Sequence, residues 1–173
     1  MDLKSNLRSA LTLVAERSVS IAGACANEES AKLYLVLPVI GALGYDYSNP
    51  EEVKPEYVAD FRDEKTNKVD YAILRNGNPI IAIECKRVGG NLDGDRGQLR
   101  AYFSALPTVK LGILTDGLRF EFYVDSENQN IMDSEPFMAL DMESIARGVL
   151  ADDSINSLSL VTSAEFDPAR ISE

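Results

Sequence analysis

The sequence predicts an α/β fold, a central mixed β-sheet flanked by helices. Two observations carry this reading. Hydrophobic periodicities run in the order helix, helix, hairpin, helix, two strands, so helical and strand segments are interleaved along the chain. Apolar residues make up 45% of the 173, enough for a sizeable core, so residues 1–173 read as a single domain.

Each element follows from its pattern. Leu3, Leu7, Ala10, Leu11 and Val14 recur at steps of three and four, the stripe of an amphipathic helix that covers a core. A second helix starts near Asn27 and runs through "EESAKLYLVLPVIGALGYD". It has Leu33, Val36, Leu37, Ile40 and Leu43 on one face, Pro38 placed to kink it and Gly44 to stop it. "YDYSNPEEVKPEYVADF", with two prolines, reads as turn-rich. "KVDYAILRNGNPIIAIECKR" then reads as a hairpin around Asn76, Gly77 and Asn78. After the loop "VGGNLDGD" a helix carries "RGQLRAYFSAL", and "VKLGILTDGLRFEFYVD" gives two short strands joined at Thr115, Asp116 and Gly117. Asn76-Gly77 and Asp116-Gly117 are plain turns in this reading, and the tail from Leu140 is helical and polar by turns.

Composition excludes several chemistries. The chain has no histidine, which removes histidine-based triads, His-ligated zinc and histidine general bases. Cys25 and Cys85 are too few and too far apart for a disulfide framework or a zinc cluster, so a reducing, cytoplasmic setting is expected. The N-terminus has no signal-type apolar region, and no stretch approaches the roughly 18 apolar residues of a membrane span, so no membrane partner is expected. Chemistry must then run on carboxylates, lysine or metal-bound water. A net charge of -11 argues, taken alone, against a nonspecific grip on nucleic acid. Affinity depends on where the positive charges sit, however, and a metal-using site gathers carboxylates for its own reasons.

The apolar hairpin strand that ends on Glu84, Cys85 and Lys86 is the informative stretch. Residues two apart in a strand share a side, so Glu84 and Lys86 face one way and Cys85 is a packed thiol on the other. A two-residue Asn-Gly turn would set Asp70 opposite Ile83; an odd-numbered loop sets it opposite Glu84, and the odd loop is the expectation. That register puts Ala72, Ala82 and Lys86 on the carboxylate face and Tyr71, Ile73, Ile81 and Ile83 in the opposite layer. Two buried carboxylates side by side repel unless they bind a hard cation or share a proton. Mg²⁺ (or Mn²⁺) held by Asp70, Glu84 and the Cys85 carbonyl, with Lys86 orienting the attacking water, points to phosphodiester hydrolysis.

Gln98 and Tyr102, four apart on the next helix, are neutral groups suited to bracing the lysine or touching a DNA backbone. Between two candidate helix acids, Glu29 falls in the arc of Leu33, Val36 and Ile40 and Glu28 roughly a third of a turn off it, so Glu29 is the expected fifth site residue. Lys65, Lys68, Arg75, Arg87, Arg96 and Arg100 are the candidates for phosphate contacts, while Tyr45 and Tyr47 read as core or rim packing. An aspartate followed by Glu-x-Lys is, alone, more often a surface ion pair at a strand end; the apolar run before it and the Gln-x-x-x-Tyr after it change that balance.

Asp70, the strand ending Glu84-Cys85-Lys86, and Gln98 with Tyr102 resemble the PD-(D/E)xK nuclease signature with the Q-x-x-x-Y extension of RecB-like nucleases. The N-terminal nuclease domain of type I restriction enzyme R subunits is similar in the same residues. "NEESAKLYLVLPVIGALGYD" and "KLGILTDGLRFEFY" extend this resemblance over roughly residues 27 to 125. Val69 stands where the name-giving proline would be. The resemblance implies a restriction-endonuclease-like fold and a Mg²⁺-dependent deoxyribonuclease, an endonuclease of restriction-modification type. In that family Asp70 and Glu84 bind the metal, Lys86 serves the water, Gln98 and Tyr102 support the site or the DNA, and a first-helix glutamate joins them; Arg100 and Arg87 are expected to support the site or contact DNA on the strength of their charge alone. The phosphate-binding Gly-Lys-Ser/Thr loop of a helicase motor is absent, so a stand-alone, phage- or prophage-borne form, or a piece working with a separate motor or specificity subunit, is expected. The contrasting expectation is a non-catalytic DNA- or protein-binding module on the same fold.

Overall fold

The computed structural model of the chain describes residues 1–59, 68–94 and 96–171. Lys65, one of the phosphate-contact candidates, lies outside the described residues. Helix α1 (Leu3–Ile21) begins where the Asp2 carboxylate accepts the Ser5 amide at 2.8 Å, and its stripe buries Leu7, Leu11, Ala15 and Ser18.

The second helical run has three parts. Asn27 and Ser30 form a capping box on α2 (Glu28–Ala31), a π-helical turn spans Lys32–Val36, and α3 (Leu37–Ala42) follows. Pro38 has no amide to donate to the carbonyl four residues back, and just ahead of it the Leu37 amide reaches the Lys32 carbonyl, a five-residue span. The wide turn rotates the faces. Leu35, Val36, Val39, Ile40 and Leu43 are buried, but Leu33, placed inward by a uniform 100° projection, is 53% exposed. Gly44, at φ +91°, ends the run as its position predicts.

Among the described residues six strands form one sheet in sequence order: β1 (Val53–Val58), β2 (Lys68–Arg75), β3 (Asn78–Cys85), β4 (Leu111–Thr115), β5 (Arg119–Tyr123) and β6 (Met138–Asp141). Neighbours run antiparallel except β3 and β4, which are parallel and joined through α4 (Arg96–Ala105). The tail carries α5 (Met142–Ala146), α6 (Asp152–Ser159) and α7 (Pro168–Ile171). Two strands went unread in the sequence. β1 is an edge strand in a stretch read as turns, with Pro55 where an edge tolerates it. β6 is four residues at the start of a tail read as helical.

The β2–β3 hairpin corrects one expectation and keeps its consequence. The loop is not odd-numbered: Arg75 pairs with Asn78 around a two-residue turn, Asn76 at φ 53° and Gly77 at φ 79°. A bulge then moves the register, because Leu74 pairs with Pro79 but Ile73 with Ile81, leaving Ile80 as the extra residue. Tyr71 then stands opposite Ile83, a register that, extended by one residue, sets Asp70 level with Glu84. Tyr71, Ile73, Ile81, Ile83 and Cys85 enter the larger core with Leu7, Leu11, Val39 and Ile40 of the helices on that face. Ala72, Ala82 and Leu114 lie on the other face under Leu99, Tyr102 and Phe103 of α4. At Gly112 a Cβ would stand 2.9 Å from the Phe103 ring, so glycine is what lets α4 sit this close to β4. The parallel pair brings the carboxyl ends of β3 and β4 together, and that end of the sheet carries Glu84 to Lys86. Among the described residues no helix is long and apolar enough to cross a membrane.

Candidate active site

A cleft of about 500 Å³ opens over the carboxyl end of β3. Its walls are Asp70, Glu84, Lys86 and Lys68 from the hairpin strands, Glu56 from β1, Glu28 and Glu29 from α2, and Gln98 from α4. All five residues named from the sequence as the core of a site, Asp70, Glu84, Lys86, Gln98 and Glu29, thus border one space, Glu29 with a largely exposed side chain.

Asp70 is held on both oxygens. Its Oδ2 accepts the Cys85 amide at 2.7 Å, and its Oδ1 lies 3.3 Å from Lys32 Nζ. The amide that fixes it belongs to the strand end that carries Glu84, which ties the two carboxylates into one frame. Glu84 is only 4% exposed; its Oε1 is 3.5 Å from Lys86 Nζ, and its Oε2 is buried with no hydrogen-bond partner. Burial first, and then the charge of Asp70, push the Glu84 carboxyl up to about 8, with Lys86 pulling the other way. Burial, with the same two carboxylates, also raises the Cys85 thiol well above its ordinary value. The side chain of Cys85 sits in the large core, and its contact with the site is the amide that donates to Asp70.

Gln98 and Tyr102 act on backbone in this fold. Gln98 Nε2 donates to the Lys68 carbonyl at 2.7 Å, and the buried Tyr102 hydroxyl donates to the Tyr57 carbonyl at 3.0 Å. α4 is thereby pinned to the end of β1 and the start of β2, the strand that delivers Asp70. Arg87 and Arg100 are exposed and stand outside the cleft walls. Arg75 lies over the Phe166 ring and donates to the Phe166 carbonyl, and Arg96 lies over the Tyr123 ring and pairs with Asp93. Of the phosphate-contact candidates among the described residues, Lys68 is the one on the cleft wall, paired with Glu56. Tyr45 is core, its hydroxyl donating to the Val161 carbonyl at 2.6 Å.

The helix acids divide the work. Glu29 has a side chain 79% exposed and accepts from Lys32 Nζ at 3.1 Å. Glu28 responds to the site itself: desolvation and the charge of Asp70 raise its carboxyl, and Lys86 and Lys32 oppose the shift.

Sequence reasoning missed two residues here. Lys32, on the first position of the π turn, has a side chain only 5% exposed, and its ammonium reaches Glu29, Glu56 and Asp70. Desolvation works against its charge, but the hydrogen bond to Glu29 and the charge of Asp70 win and raise it above an ordinary lysine. Its one signal was position: a lysine directly after Ala31 in an otherwise apolar run, four residues past Glu28. Glu56 was hidden because β1 was read as a turn; it sits in the left-handed region at φ 52° with its carboxylate on Lys32 and Lys68.

Among the described residues no three His, Cys, Asp or Glu side chains converge tightly enough to hold a metal ion alone. The Asp70 and Glu84 carboxylates, with one Glu84 oxygen buried and unmet, still suit a hard cation that keeps several waters.

Residues 59–131 match the family described as the type I restriction enzyme R protein N terminus. The six-stranded mixed sheet flanked by helices is consistent with a restriction-endonuclease-like fold, and the matched segment carries the residues that resemble the PD-(D/E)xK signature. That segment contains Asp70, Glu84, Lys86, Gln98 and Tyr102, while Glu28, Glu29 and Lys32 precede it. No match was found among curated proteins or among solved structures.

Proposed function

We infer that this chain, a type I restriction R-protein N-terminal domain over residues 59–131, is a Mg²⁺- or Mn²⁺-dependent deoxyribonuclease that cleaves DNA phosphodiester bonds internally. The observation that carries the reading is the buried Glu84 Oε2, left without a partner beside Asp70 on the wall of an open cleft. Leaving a buried carboxylate oxygen unmet costs about 1–3 kcal/mol, more when the group is charged, and a cation removes that cost.

Asp70, Glu84 and the Cys85 carbonyl would hold the ion, which supplies Lewis acidity for an attacking water. The chain's own groups do the rest. Lys86, 3.5 Å from Glu84 and with a side chain 22% exposed, reaches into the cleft, orients the water and offsets charge on the phosphoryl oxygens in the transition state. Lys32 and the Cys85 amide fix the rotamer of Asp70, and Gln98 and Tyr102 lock the strand beneath it. As the water oxygen bonds to phosphorus and gives up a proton to solvent, the ester P–O bond breaks, and the leaving oxygen takes a proton from solvent or Lys86.

A non-catalytic module on the same fold, binding DNA or a protein, is the second reading. It is favoured by the charge of -11 and by the fact that, among the described residues, no three acidic side chains are set to hold a metal ion by themselves. Incubation with linear and circular DNA, single and double stranded, in Mg²⁺ or Mn²⁺, separates the two. Cleavage of circles that disappears in Lys86→Ala establishes an endonuclease. Silence from the wild type, together with no rise in melting temperature on adding Mn²⁺, selects the binding module. Silence with a rise that Asp70→Asn abolishes points instead to a missing motor or specificity subunit.

A further inference from the structure

Lys32 is a cation placed where three carboxylates from three separate elements meet. Its Nζ is 3.1 Å from Glu29 Oε1 on α2, 3.3 Å from Glu56 Oε1 on β1 and 3.3 Å from Asp70 Oδ1 on β2. An ammonium group has three donors, and here each has one carboxylate to face. The side chain is 5% exposed, and the Tyr71 ring lies 5.7 Å away on its inner side. Buried lysines are rare unless paired. The backbone accommodates this one in unusual ways on both sides: Lys32 opens a π turn, and Glu56 adopts a left-handed conformation inside a strand.

The charge balance of the cleft gives this cation a meaning. Glu28, Glu29, Glu56, Asp70 and Glu84 face Lys32, Lys68 and Lys86; with every carboxylate ionised, as cation binding at Glu84 requires, the excess is two negative charges, which one divalent ion at Asp70 and Glu84 neutralises. We propose that the Lys32 ammonium is the protein's own second cation. It fills the place beside Asp70 that a second divalent ion would take, so the cleft binds one ion, and removing the lysine opens the second place. The oxygens around Nζ would need to close by about 1 Å to reach divalent bonding distances. Glu29 and Glu56, with side chains 79% and 47% exposed, are free to do so. This inference rests on the reading of Asp70 and Glu84 as the first cation position.

The test counts ions rather than turnover. Mn²⁺ bound per folded chain is measured by electron paramagnetic resonance of the free ion and by calorimetry, for the wild type, Lys32→Met, Lys32→Arg and the double variant Lys32→Met with Glu56→Gln. The expected result is one ion for the wild type and Lys32→Arg, two for Lys32→Met, and one again for the double variant. Two ions in the wild type, or one in both wild type and Lys32→Met, overturn this inference alone. No ion in any chain overturns it together with the Asp70 and Glu84 reading. Should Lys32→Met fold poorly without metal, its Mn²⁺-induced rise in melting temperature is the second measurement: a rise larger than the wild type's supports a second ion, and one no larger than the wild type's overturns it.

Discussion

Glu84 and Glu121 stand in one row of the sheet, each paired across it with Leu114, and they are buried alike, 4% and 3% exposed. Their surroundings differ. Glu121 Oε1 accepts the Tyr123 hydroxyl at 3.1 Å and its Oε2 lies 3.6 Å from Arg119. Glu84 has Lys86 near one oxygen, nothing on the other, and Asp70 for a neighbour. Burial alone therefore does not separate the carboxylate proposed to hold an ion from one satisfied within the fold. The distinguishing feature is whether the chain itself supplies partners for both oxygens.

The largest expected effect tests the functional half of that contrast. Lys86→Ala lowers the DNA cleavage rate by about 10²-fold or more, whereas Arg119→Ala, two strands away, leaves it near wild type. Comparing the initial rates of circle cleavage decides this, and equal losses would dissolve the distinction.

The second expectation concerns stability without metal. Urea unfolding in chelator at about pH 9 should find Glu84→Gln more stable than wild type by about 1–3 kcal/mol, because it removes a buried and poorly met charge. Glu121→Gln should be less stable by about 1 kcal/mol, since it weakens contacts that exist. Changes of the same sign in the two variants would mean that the unmet oxygen has no energetic consequence.

The pH dependence sharpens the same point. The folded state holds the Glu84 carboxyl up to about 8 against an ordinary 4.5, so between those values the folded chain binds more protons than the unfolded one. Its contribution is fully present below 4.5 and is lost as pH rises through 8. In chelator, then, wild type and Glu121→Gln lose stability across this window, and the slope flattens in Glu84→Gln. A melting series from acid to mildly alkaline pH reads it directly. The smallest effect is that of Gln98→Ala, about 1 kcal/mol or less of stability from one hydrogen bond at an exposed side chain, with a modest loss of rate as the start of β2 loosens.

The hairpin and α4 were legible because their signals are local. Alternation separates Ile81 and Ile83 from Ala82 and Glu84, and a spacing of four puts Gln98 and Tyr102 on one helix face. What failed depended on contacts distant in sequence or on departures from ideal geometry. β1 lacks alternation, since of its six residues only Val53 is buried, and Pro55 and Glu56 disguise it as a turn. The π turn defeats any projection at a constant angle, which is why Leu33 was expected inside. Lys32 meets Glu56 across 24 positions of chain, and no local pattern announces such a pairing.

The bulge at Ile80 gives the hairpin one residue of slack on the turn side of the carboxylate pair. Thirteen residues, 71 to 83, separate Asp70 from Glu84, one more than a regular ladder closed by a two-residue turn would hold. A deletion of Ile80 is therefore absorbed by straightening the strand, and the two acids still meet. A second deletion has no such reserve and must lengthen or break the turn. The hairpin can thus drift in length by one step over evolutionary time, or in a designer's hands, without changing which side chains confront each other at its far end.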